Sequence, residues 1–234
     1  MNCGGSVSEK KFIGLITRCK DEFFIKEFCD YYLSQGIDQI YVIDDDSKDK
    51  SIYNNINNKK VTIIYEKDVF KECQLNHIND LYEEIRDSYD WLISVDVDEF
   101  ITTKKNITKT IRDELQTTFK DVDCIKIPWV MMGCNKKEKN PKSILSENTY
   151  RWNHDKHHPH KVEKFRCRYN DIEVKCIFKT QKFSSINVHH PYVNAKLSSS
   201  AIHEKFGKRS IRRYTTCKFV EPYSPPTNPE HKWT

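Results

Sequence analysis

Short apolar runs alternate with amphipathic stretches along the first half of the chain. Buried strands are predicted at the apolar runs 12–17, 39–43, 61–65 and 91–95. Helices are predicted between them, over 22–35 and 73–88. The first helix carries aromatic residues at helical spacing and is followed by Gly36, which suits a left-handed helix end. This alternation of strands and helices predicts a parallel α/β sheet.

The second half of the chain has a less regular pattern. It predicts a helix over 107–119, a strand over 124–131, two late strands over 174–179 and 185–189 that could pair in antiparallel fashion, and a basic helix over 201–214. The pattern shows neither an internal repeat nor a domain linker. We therefore expect a flexible start at 1–10, a single domain at 11–215 and an irregular, proline-rich tail at 216–234.

Carboxylates follow two of the predicted strands, where each strand leaves the sheet. Asp44 and Asp45 come after the second strand, and Asp96, Asp98 and Glu99 come after the fourth. Open α/β sheets bind ligands at these carboxyl ends, and residues two apart on an extended strand point the same way. Paired hard oxygen donors suit Mn²⁺ or Mg²⁺ holding a diphosphate. A solvated acidic turn and a helix N-cap are the alternatives, and the second acidic strand end favours a binding site.

Composition and charge narrow the classes of function. The chain has 234 residues, of which 37% are hydrophobic, so it can bury the core of one large domain. Its net charge of +5 suits anionic ligands such as sugar nucleotides, but the charge is too dispersed to indicate nucleic acid. The nine cysteines include no C-x-x-C pair and predict reduced, buried thiols, and the N-terminus lacks the apolar core of a signal peptide. We therefore expect a cytoplasmic protein.

Four segments resemble glycosyltransferases of families 2 and 92, and they follow the order expected there. The segment 17–49 resembles the beginning of these enzymes, and 95–100 resembles their D-x-D-E-F metal motif. Residues 127–133 resemble a W-x-x-F-G element with Met132 in place of Phe, and 175–191 resemble a closing K-x-I…H-x-P segment. The resemblance covers most of the chain and implies a GT-A fold, a nucleoside diphosphate sugar donor and a divalent metal.

The resemblance also implies roles for individual residues. Asp98 would hold the metal, Asp96 would lie nearby toward the ribose, and Glu99 would orient these ligands. The other residues of the implied donor site are Thr17, Arg18, Asp44, Asp45, Trp129, Gly133 and Lys179. One of His189 and His190 would be a third metal ligand, and the pattern does not separate them. In the alternative interpretation, Trp129 packs in the core, Lys179 is a solvated strand lysine and the two histidines are structural.

These observations predict a metal-dependent glycosyltransferase that moves a hexose or deoxyhexose from a UDP-linked donor to a hydroxyl of a glycan or another acceptor, with inversion. The general base would be a carboxylate, and Asp155 and Glu147 are candidates because they follow the Trp129 strand, where an acceptor would enter. The histidine-rich run 154–161 suits a polar loop over the donor or a second metal site. The basic segment 202–213 suits a solvated face or a peripheral contact with an anionic membrane.

Two alternative functions stay open at this point. A nucleotidyltransferase also uses paired aspartates on an α/β sheet, but it usually has a glycine-rich loop after its first strand, and residues 17–22 contain no glycine. A non-catalytic nucleotide- or sugar-binding module would keep the fold, and the intact carboxylates disfavour it.

Overall fold

The computed structural model describes residues 10–66, 74–103, 108–133, 139–151, 174–192, 214–219 and 231–232. Helices α1 to α4 span Ile25–Ser34, Gln74–Ile85, Ile111–Gln116 and Ile144–Glu147. Strands β1 to β12 span, in chain order, Lys11–Cys19, Gln39–Asp45, Val61–Glu66, Tyr89–Ser94, Glu99–Thr103, Cys124–Gly133, Tyr150–Arg151, Val174–Lys179, Ser185–Ile186, Pro191–Tyr192, Tyr214–Phe219 and His231–Lys232. Short 3₁₀ helices lie at Lys50–Tyr53, Arg86–Ser88 and Thr180–Lys182. Within these ranges, no helix is both long and apolar enough to cross a bilayer.

The parallel strands β3, β2, β1 and β4 lie side by side, in that order, and form one half of the main sheet, with β3 at its edge. Strand β8 runs antiparallel between β4 and β6, and β7 and β12 continue the sheet beyond β6. Strand β11 pairs with β6 in parallel and with β5 in antiparallel orientation. The predicted class, a mostly parallel central sheet with a smaller antiparallel part, is therefore confirmed. The carboxyl ends of β1, β2 and β4 lie at one edge of this sheet.

Both faces of β1, β2 and β4 are largely buried, which explains their continuous apolar runs. On β1, Ile13 and Leu15 pack in one hydrophobic cluster with Phe28 of α1. Ile16 of the same strand packs in a second cluster with Tyr82 of α2. Since successive side chains of a strand point to opposite faces, the two clusters occupy the two sides of the sheet.

The observed helices are shorter than the predicted ones. The helix predicted over 22–35 begins later, at Ile25 of α1, and its N-cap residue Phe24 makes no side-chain hydrogen bond. The helix predicted over 107–119 is shortened to α3. Thr110 and Asp113 form a capping box there, in which the Thr110 hydroxyl accepts from the Asp113 amide at 3.1 Å. A capping box fixes the first residue of a helix, whereas periodicity locates only its middle.

The late strands pair differently from the expectation. Strands β8 and β9 do not pair with each other, since β8 lies between β4 and β6 and β9 pairs with β10. The strand predicted over 185–189 ends early because the chain turns after Ile186, with the Asn187 amide donating to the His190 carbonyl at 2.8 Å. The tail predicted as irregular over 216–234 contributes most of β11 to the sheet. The division into a start, a domain and a tail stays a prediction.

Four cysteines in the described part of the chain are buried and free: Cys19, Cys29, Cys124 and Cys176. Burial is the main cause that raises the pKa of the Cys19 thiol to about 11 and that of Cys29 to about 12. These two thiols are therefore protonated and unreactive at neutral pH. The cytoplasmic location stays a prediction.

Gly36 has a φ of +87°, as expected for the left-handed residue after α1. A Cβ at this position would lie 2.8 Å from the Cβ of Arg112. We expect Gly36→Ala to lower the free energy of unfolding by about 1–2 kcal/mol, because an L-residue strains in the left-handed region. Urea unfolding of both proteins measures this difference.

Gly36→Asn is the matched variant for this test. Asparagine tolerates the left-handed region better than alanine but brings the same Cβ toward Arg112. A smaller loss for asparagine would assign the cost to backbone strain, and an equal loss would assign it to the contact. An alanine variant as stable as the wild type would contradict the prediction.

Candidate active site

Three carboxylates gather in the turn that joins β4 to β5. Oxygen atoms of Asp96, Asp98 and Glu99 all lie within 4.8 Å of one another. Burial alternates along this segment, since Val95 and Val97 are buried in the core while Asp96 and Asp98, which follow them, are half-buried. We call Asp96, Asp98 and Glu99 the acidic cluster. It lies at the carboxyl end of β4, the position that ligands of open α/β sheets occupy.

Glu99 forms the inner side of the acidic cluster. Its side chain is fully buried, and its Oε2 accepts a hydrogen bond from the backbone amide of Asp96 at 3.0 Å. The Glu99 amide in turn donates to the Asp96 carbonyl at 3.0 Å. These two bonds close the turn and hold the Asp96 backbone in a fixed position. Glu99 therefore supports the other two carboxylates from the buried side of the acidic cluster.

Lys175 joins the acidic cluster. The sequence interpretation placed it in the closing K-x-I segment but gave it no role in the site. Its ammonium lies 3.2 Å from Oδ2 of Asp96 and 3.3 Å from Oε2 of Glu99, and it donates to the carbonyl of Val188 at 3.0 Å. The Lys175 side chain is only 2% exposed. A lysine at the start of an otherwise apolar strand was the signal in the sequence, because a buried lysine needs an acidic partner.

The structure does not bring Lys179 to the acidic cluster. Strand β8 runs antiparallel to β4 and pairs Lys179 with Trp91, so that Lys179 lies at the amino end of β4. Its ammonium donates to the Lys120 carbonyl at 3.0 Å, pairs with Asp123 at 3.5 Å and lies 5.3 Å from the centre of the Trp91 ring. Lys179 therefore stabilises the opposite edge of the sheet.

A cavity of about 390 Å³ lies at that opposite edge. Its lining residues are Phe12, Asp90, Trp91, Leu115, Gln116, Lys120, Lys179, Gln181 and Lys182. Lysine side chains outnumber the one carboxylate of this lining, so the cavity offers no ligand set for a divalent cation. We therefore assign the candidate site to the acidic cluster and not to this cavity.

The second acidic strand end, at β2, holds its own loop together. Asp44 is fully buried and accepts hydrogen bonds from the Tyr53 hydroxyl at 2.6 Å, from the Ser47 amide at 3.3 Å and from the Lys50 ammonium. Burial would raise the pKa of the Asp44 carboxyl, but the hydrogen bonds from Lys50, Ser47 and Tyr53 outweigh it and lower the pKa. Asp44 thus stays ionised and fixes the shape of this loop.

Asp45 is the residue of this loop that has capacity for a ligand. Its side chain is buried, and Oδ2 pairs with the guanidinium of Arg18. Among the described residues, no donor reaches its other oxygen, Oδ1. A buried acceptor without a partner is costly, so this oxygen suits a base N–H or a ribose hydroxyl. Thr17 is buried on β1, which lies between the two acidic strand ends.

Trp129 and the two closing histidines lie beside one another near the acidic cluster. The His189 ring packs edge-on against the half-buried Trp129 at 5.4 Å between ring centroids. Nδ1 of His189 lies 3.2 Å from the Val174 carbonyl. Burial is the main cause that lowers the pKa of His189, with the charge of Lys175 acting in the same direction. The imidazole of His189 is therefore neutral at physiological pH.

The two histidines differ in what they contact. His190 is exposed. A hydrogen bond with Cys124, and then the His190 side chain, lower the pKa of the Cys176 thiol, which donates to the backbone carbonyl of His189 at 3.2 Å. The ring nitrogens of His189 and His190 do not belong to the group of ligand atoms within 4.8 Å of one another that defines the acidic cluster. The charges of Lys175 and Asp96 act on His189, so His189 is the histidine that faces the cluster. Gly133, the last residue of β6, pairs with Tyr150 of β7.

The candidate general bases are not assigned by the described residues. Oε1 of Glu147 accepts from the amides of Lys142 at 2.9 Å and Ser143 at 3.2 Å, and so holds the start of α4. Asp155 lies outside the described residues, together with the histidine-rich run 154–161 and the basic segment 202–213. The identity of the base stays a prediction.

The acidic cluster fits a divalent cation such as Mn²⁺ or Mg²⁺. Asp98 is half-buried and the Asp96 side chain is 46% exposed, so both can meet an ion from the solvent side. Glu99 is fully buried and engaged with Lys175 and the Asp96 amide. Two carboxylates leave coordination positions for diphosphate oxygens and water, as Mg²⁺ prefers. The residues that would hold the ion are therefore Asp98 and Asp96.

Three solved structures share a distant similarity with the chain. They are a 4-diphosphocytidyl-2C-methyl-D-erythritol synthase from Anaerococcus prevotii (11% identity, 90% of this chain and 88% of that one, TM-score 0.40), HddC from Yersinia pseudotuberculosis (10%, 89% and 89%, 0.39) and TarS 1–349 from S. aureus (13%, 89% and 58%, 0.37). No curated protein matches the chain significantly. At these TM-scores, the similarities to solved structures say nothing about activity.

A sequence model of glycosyltransferase family 92 gives the decisive comparison, because it matches residues 24–233. The match includes the acidic cluster, both histidines and the Asp44–Asp45 loop. It agrees with the resemblance that the motifs carry and with the α/β architecture. The chain belongs to glycosyltransferase family 92.

Proposed function

We propose that the protein is a metal-dependent glycosyltransferase that moves a hexosyl or deoxyhexosyl group from a UDP-linked donor to an acceptor hydroxyl. The observation that carries this proposal is the acidic cluster, whose oxygens lie within 4.8 Å at the carboxyl end of β4 in a family 92 chain. Asp96 and Asp98 are the ligands that would hold Mn²⁺ or Mg²⁺. A nucleoside diphosphate would bind across the edge formed by β2, β1 and β4.

The reaction needs negative charge to be stabilised on the departing diphosphate. The bond from the anomeric carbon to the diphosphate oxygen breaks while the acceptor oxygen bonds to that carbon, and a carboxylate takes the acceptor proton. A bound divalent ion supplies charge stabilisation at the leaving oxygens. Asp96 and Asp98 fix the position of that charge, and Glu99 orients Asp96. Asp155 and Glu147 remain the candidates for the base, and inversion follows from a single displacement.

The nucleoside end of the donor would meet β2. Oδ1 of Asp45 is a buried acceptor that lacks a donor among the described residues, and Arg18 holds the other oxygen of this carboxylate in place. Trp129 and His189 would line the sugar side of the pocket. The acceptor would be a glycan or another hydroxyl compound, with nucleic acid excluded as a partner. We further propose a cytoplasmic location, and a peripheral membrane contact through 202–213.

Calorimetric titration with UDP, with Mn²⁺ and with a chelator, tests the proposed function. We expect UDP to bind in the presence of Mn²⁺ and to bind much more weakly in the presence of the chelator. We also expect a UDP-sugar to be hydrolysed slowly when no acceptor is present. CDP and GDP serve as controls for the choice of base. The same affinity for UDP with Mn²⁺ and with the chelator, or no binding of any nucleotide, would contradict the proposal.

His189 gives a prediction within this function. Because a neutral imidazole can ligate Mn²⁺ and His189 faces the acidic cluster, His189→Ala should raise the Mn²⁺ concentration for half-maximal activity by about tenfold or more. Extra Mn²⁺ should restore part of the rate, since the donor diphosphate still supplies ligands. His190→Ala is the matched control, because the neighbouring His190 side chain is exposed to solvent. Wild-type metal dependence in both variants would make the two histidines structural.

A further inference from the structure

Lys175 presents a fixed positive charge inside the acidic cluster. The side chain is 2% exposed and its ammonium contacts Oδ2 of Asp96, Oε2 of Glu99 and the Val188 carbonyl at 3.0–3.3 Å. The ammonium donates to Asp96 and to the Val188 carbonyl and forms an ion pair with Glu99, so acceptors surround its donors. Such a buried ammonium, surrounded by acceptors, does not swing out toward a ligand. The charge of Lys175 is therefore a permanent part of the site.

The position of Lys175 follows from the sheet. Cys176 of β8 pairs with Ser94, the last residue of β4, so Lys175 lies just beyond the end of β4 and beneath the turn that follows. From there it binds both ends of the turn, at Asp96 and at Glu99. The contact draws Oδ2 of Asp96 inward, toward the protein. A divalent ion would then meet Asp96 through its outward side, together with Asp98.

The charge of Lys175 also affects how strongly a free cation binds. The acidic cluster carries three negative charges when ionised, and Lys175 offsets one of them at 3.2–3.3 Å. An ion held by these carboxylates would lie farther from the ammonium, but a unit charge about 6 Å from a divalent ion still changes its affinity by about tenfold at the dielectric constant of water. The cluster alone should therefore bind a free divalent ion weakly. The negative oxygens of a diphosphate would supply the missing attraction.

We propose that Lys175 is a positioning residue that holds Asp96 and weakens the binding of free metal, so that the ion is retained only together with the nucleoside diphosphate. This inference rests on the proposed function and deepens it. It predicts that Mn²⁺ and UDP each increase the affinity for the other, and that the size of this mutual effect depends on Lys175. Reciprocity follows from thermodynamic linkage between the two sites.

The test measures the binding of Mn²⁺ to the whole chain, with and without UDP, by electron paramagnetic resonance of the free ion. Wild-type protein should bind Mn²⁺ weakly alone and tightly with UDP. Lys175→Met should bind Mn²⁺ alone about tenfold more tightly and lose a similar factor of the gain from UDP. Lys175→Arg keeps the charge and should bind Mn²⁺ alone as weakly as the wild type.

A control and a charge-balanced series keep the test decisive if Lys175→Met does not fold. Lys182→Met removes an exposed lysine at the opposite edge of the sheet and should change nothing. Glu99→Gln removes one negative charge and should weaken Mn²⁺ binding about tenfold. Adding Lys175→Met to Glu99→Gln restores the net charge and should return the affinity for free Mn²⁺ to that of the wild type.

The outcomes separate this inference from the proposed function. Unchanged Mn²⁺ affinity in Lys175→Met, or no recovery in the double variant, would overturn the role of Lys175 while Mn²⁺-dependent UDP binding by the wild type stands. UDP binding by the wild type that ignores Mn²⁺ would overturn the proposed function, whatever the variants do. If the wild type and all variants fail to bind Mn²⁺, both are wrong.

Discussion

Asp98→Ala should reduce glycosyl transfer by about a thousandfold or more and leave the thermal stability close to that of the wild type. Asp98 is half-buried at the outer side of the acidic cluster, where its carboxylate would hold the metal. Losing one of few charged ligands removes most of the charge stabilisation at the departing diphosphate. Transfer from a UDP-sugar at saturating Mn²⁺, and a melting curve for each protein, measure the two effects.

Asp90→Ala is the matched control for this substitution. Asp90 belongs to β4, the strand that precedes the acidic cluster, but it lies at the amino end of that strand, where it pairs with Lys10 on the surface. An exposed ion pair contributes little to stability, so this variant should keep both its activity and its fold. Near-normal, Mn²⁺-dependent turnover in Asp98→Ala would remove Asp98 from the metal site. Loss of folding in that variant would show a structural role instead.

The sequence predicts the central sheet well because the physics of its strands is local. Residues 12–17 and 91–95 are buried on both faces in the structure, and uninterrupted apolar runs are typical of such strands. The acidic cluster was predictable for the same reason, since it follows directly from the end of a buried strand. The left-handed Gly36 was also predictable, because helices commonly end with a left-handed residue and glycine is the usual residue there.

The role of Lys175 was not predictable, because it depends on the direction of a distant strand. The sequence shows that β8 is a strand, but not that β8 runs antiparallel to β4. In that orientation the amino end of β8 meets the carboxyl end of β4, so Lys175 reaches the acidic cluster and Lys179 reaches the opposite edge. A parallel orientation would have reversed the two. Strand direction across a long separation is a property of the whole fold.

The different roles of Asp44 and Asp45 were also not predictable from the sequence. Adjacent aspartates look alike in a sequence, and both were expected to face the nucleoside. In the structure, Tyr53, Ser47 and Lys50 satisfy Asp44, so that residue shapes its loop. Lys50 and Tyr53 come from a 3₁₀ helix and Ser47 from the loop before it, and the residue pattern does not specify their geometry. The oxygen with remaining capacity belongs to Asp45.

Glu99→Ala should lower the stability of the protein, whereas Asp98→Ala should leave the stability close to that of the wild type, although the two residues are neighbours. Glu99 is fully buried, forms an ion pair with Lys175, which is only 2% exposed, and accepts a hydrogen bond from the Asp96 amide. Removing one partner of a buried ion pair leaves the other charge insufficiently compensated, which typically costs about 3–5 kcal/mol. We expect about 3 kcal/mol here, because Asp96 still contacts the Lys175 ammonium. Urea unfolding followed by circular dichroism measures the loss.

Two further variants separate the ion pair from simple packing. Glu99→Gln keeps the volume and an acceptor for the Asp96 amide, so it should lose clearly less stability than Glu99→Ala. The double variant Lys175→Met with Glu99→Leu replaces the pair by apolar side chains of similar length. It should recover much of the stability that Glu99→Ala loses, because no buried charge is left without its partner. If the double variant is as unstable as Glu99→Ala, packing in the turn and not the Lys175–Glu99 pair determines the stability of this part of the site.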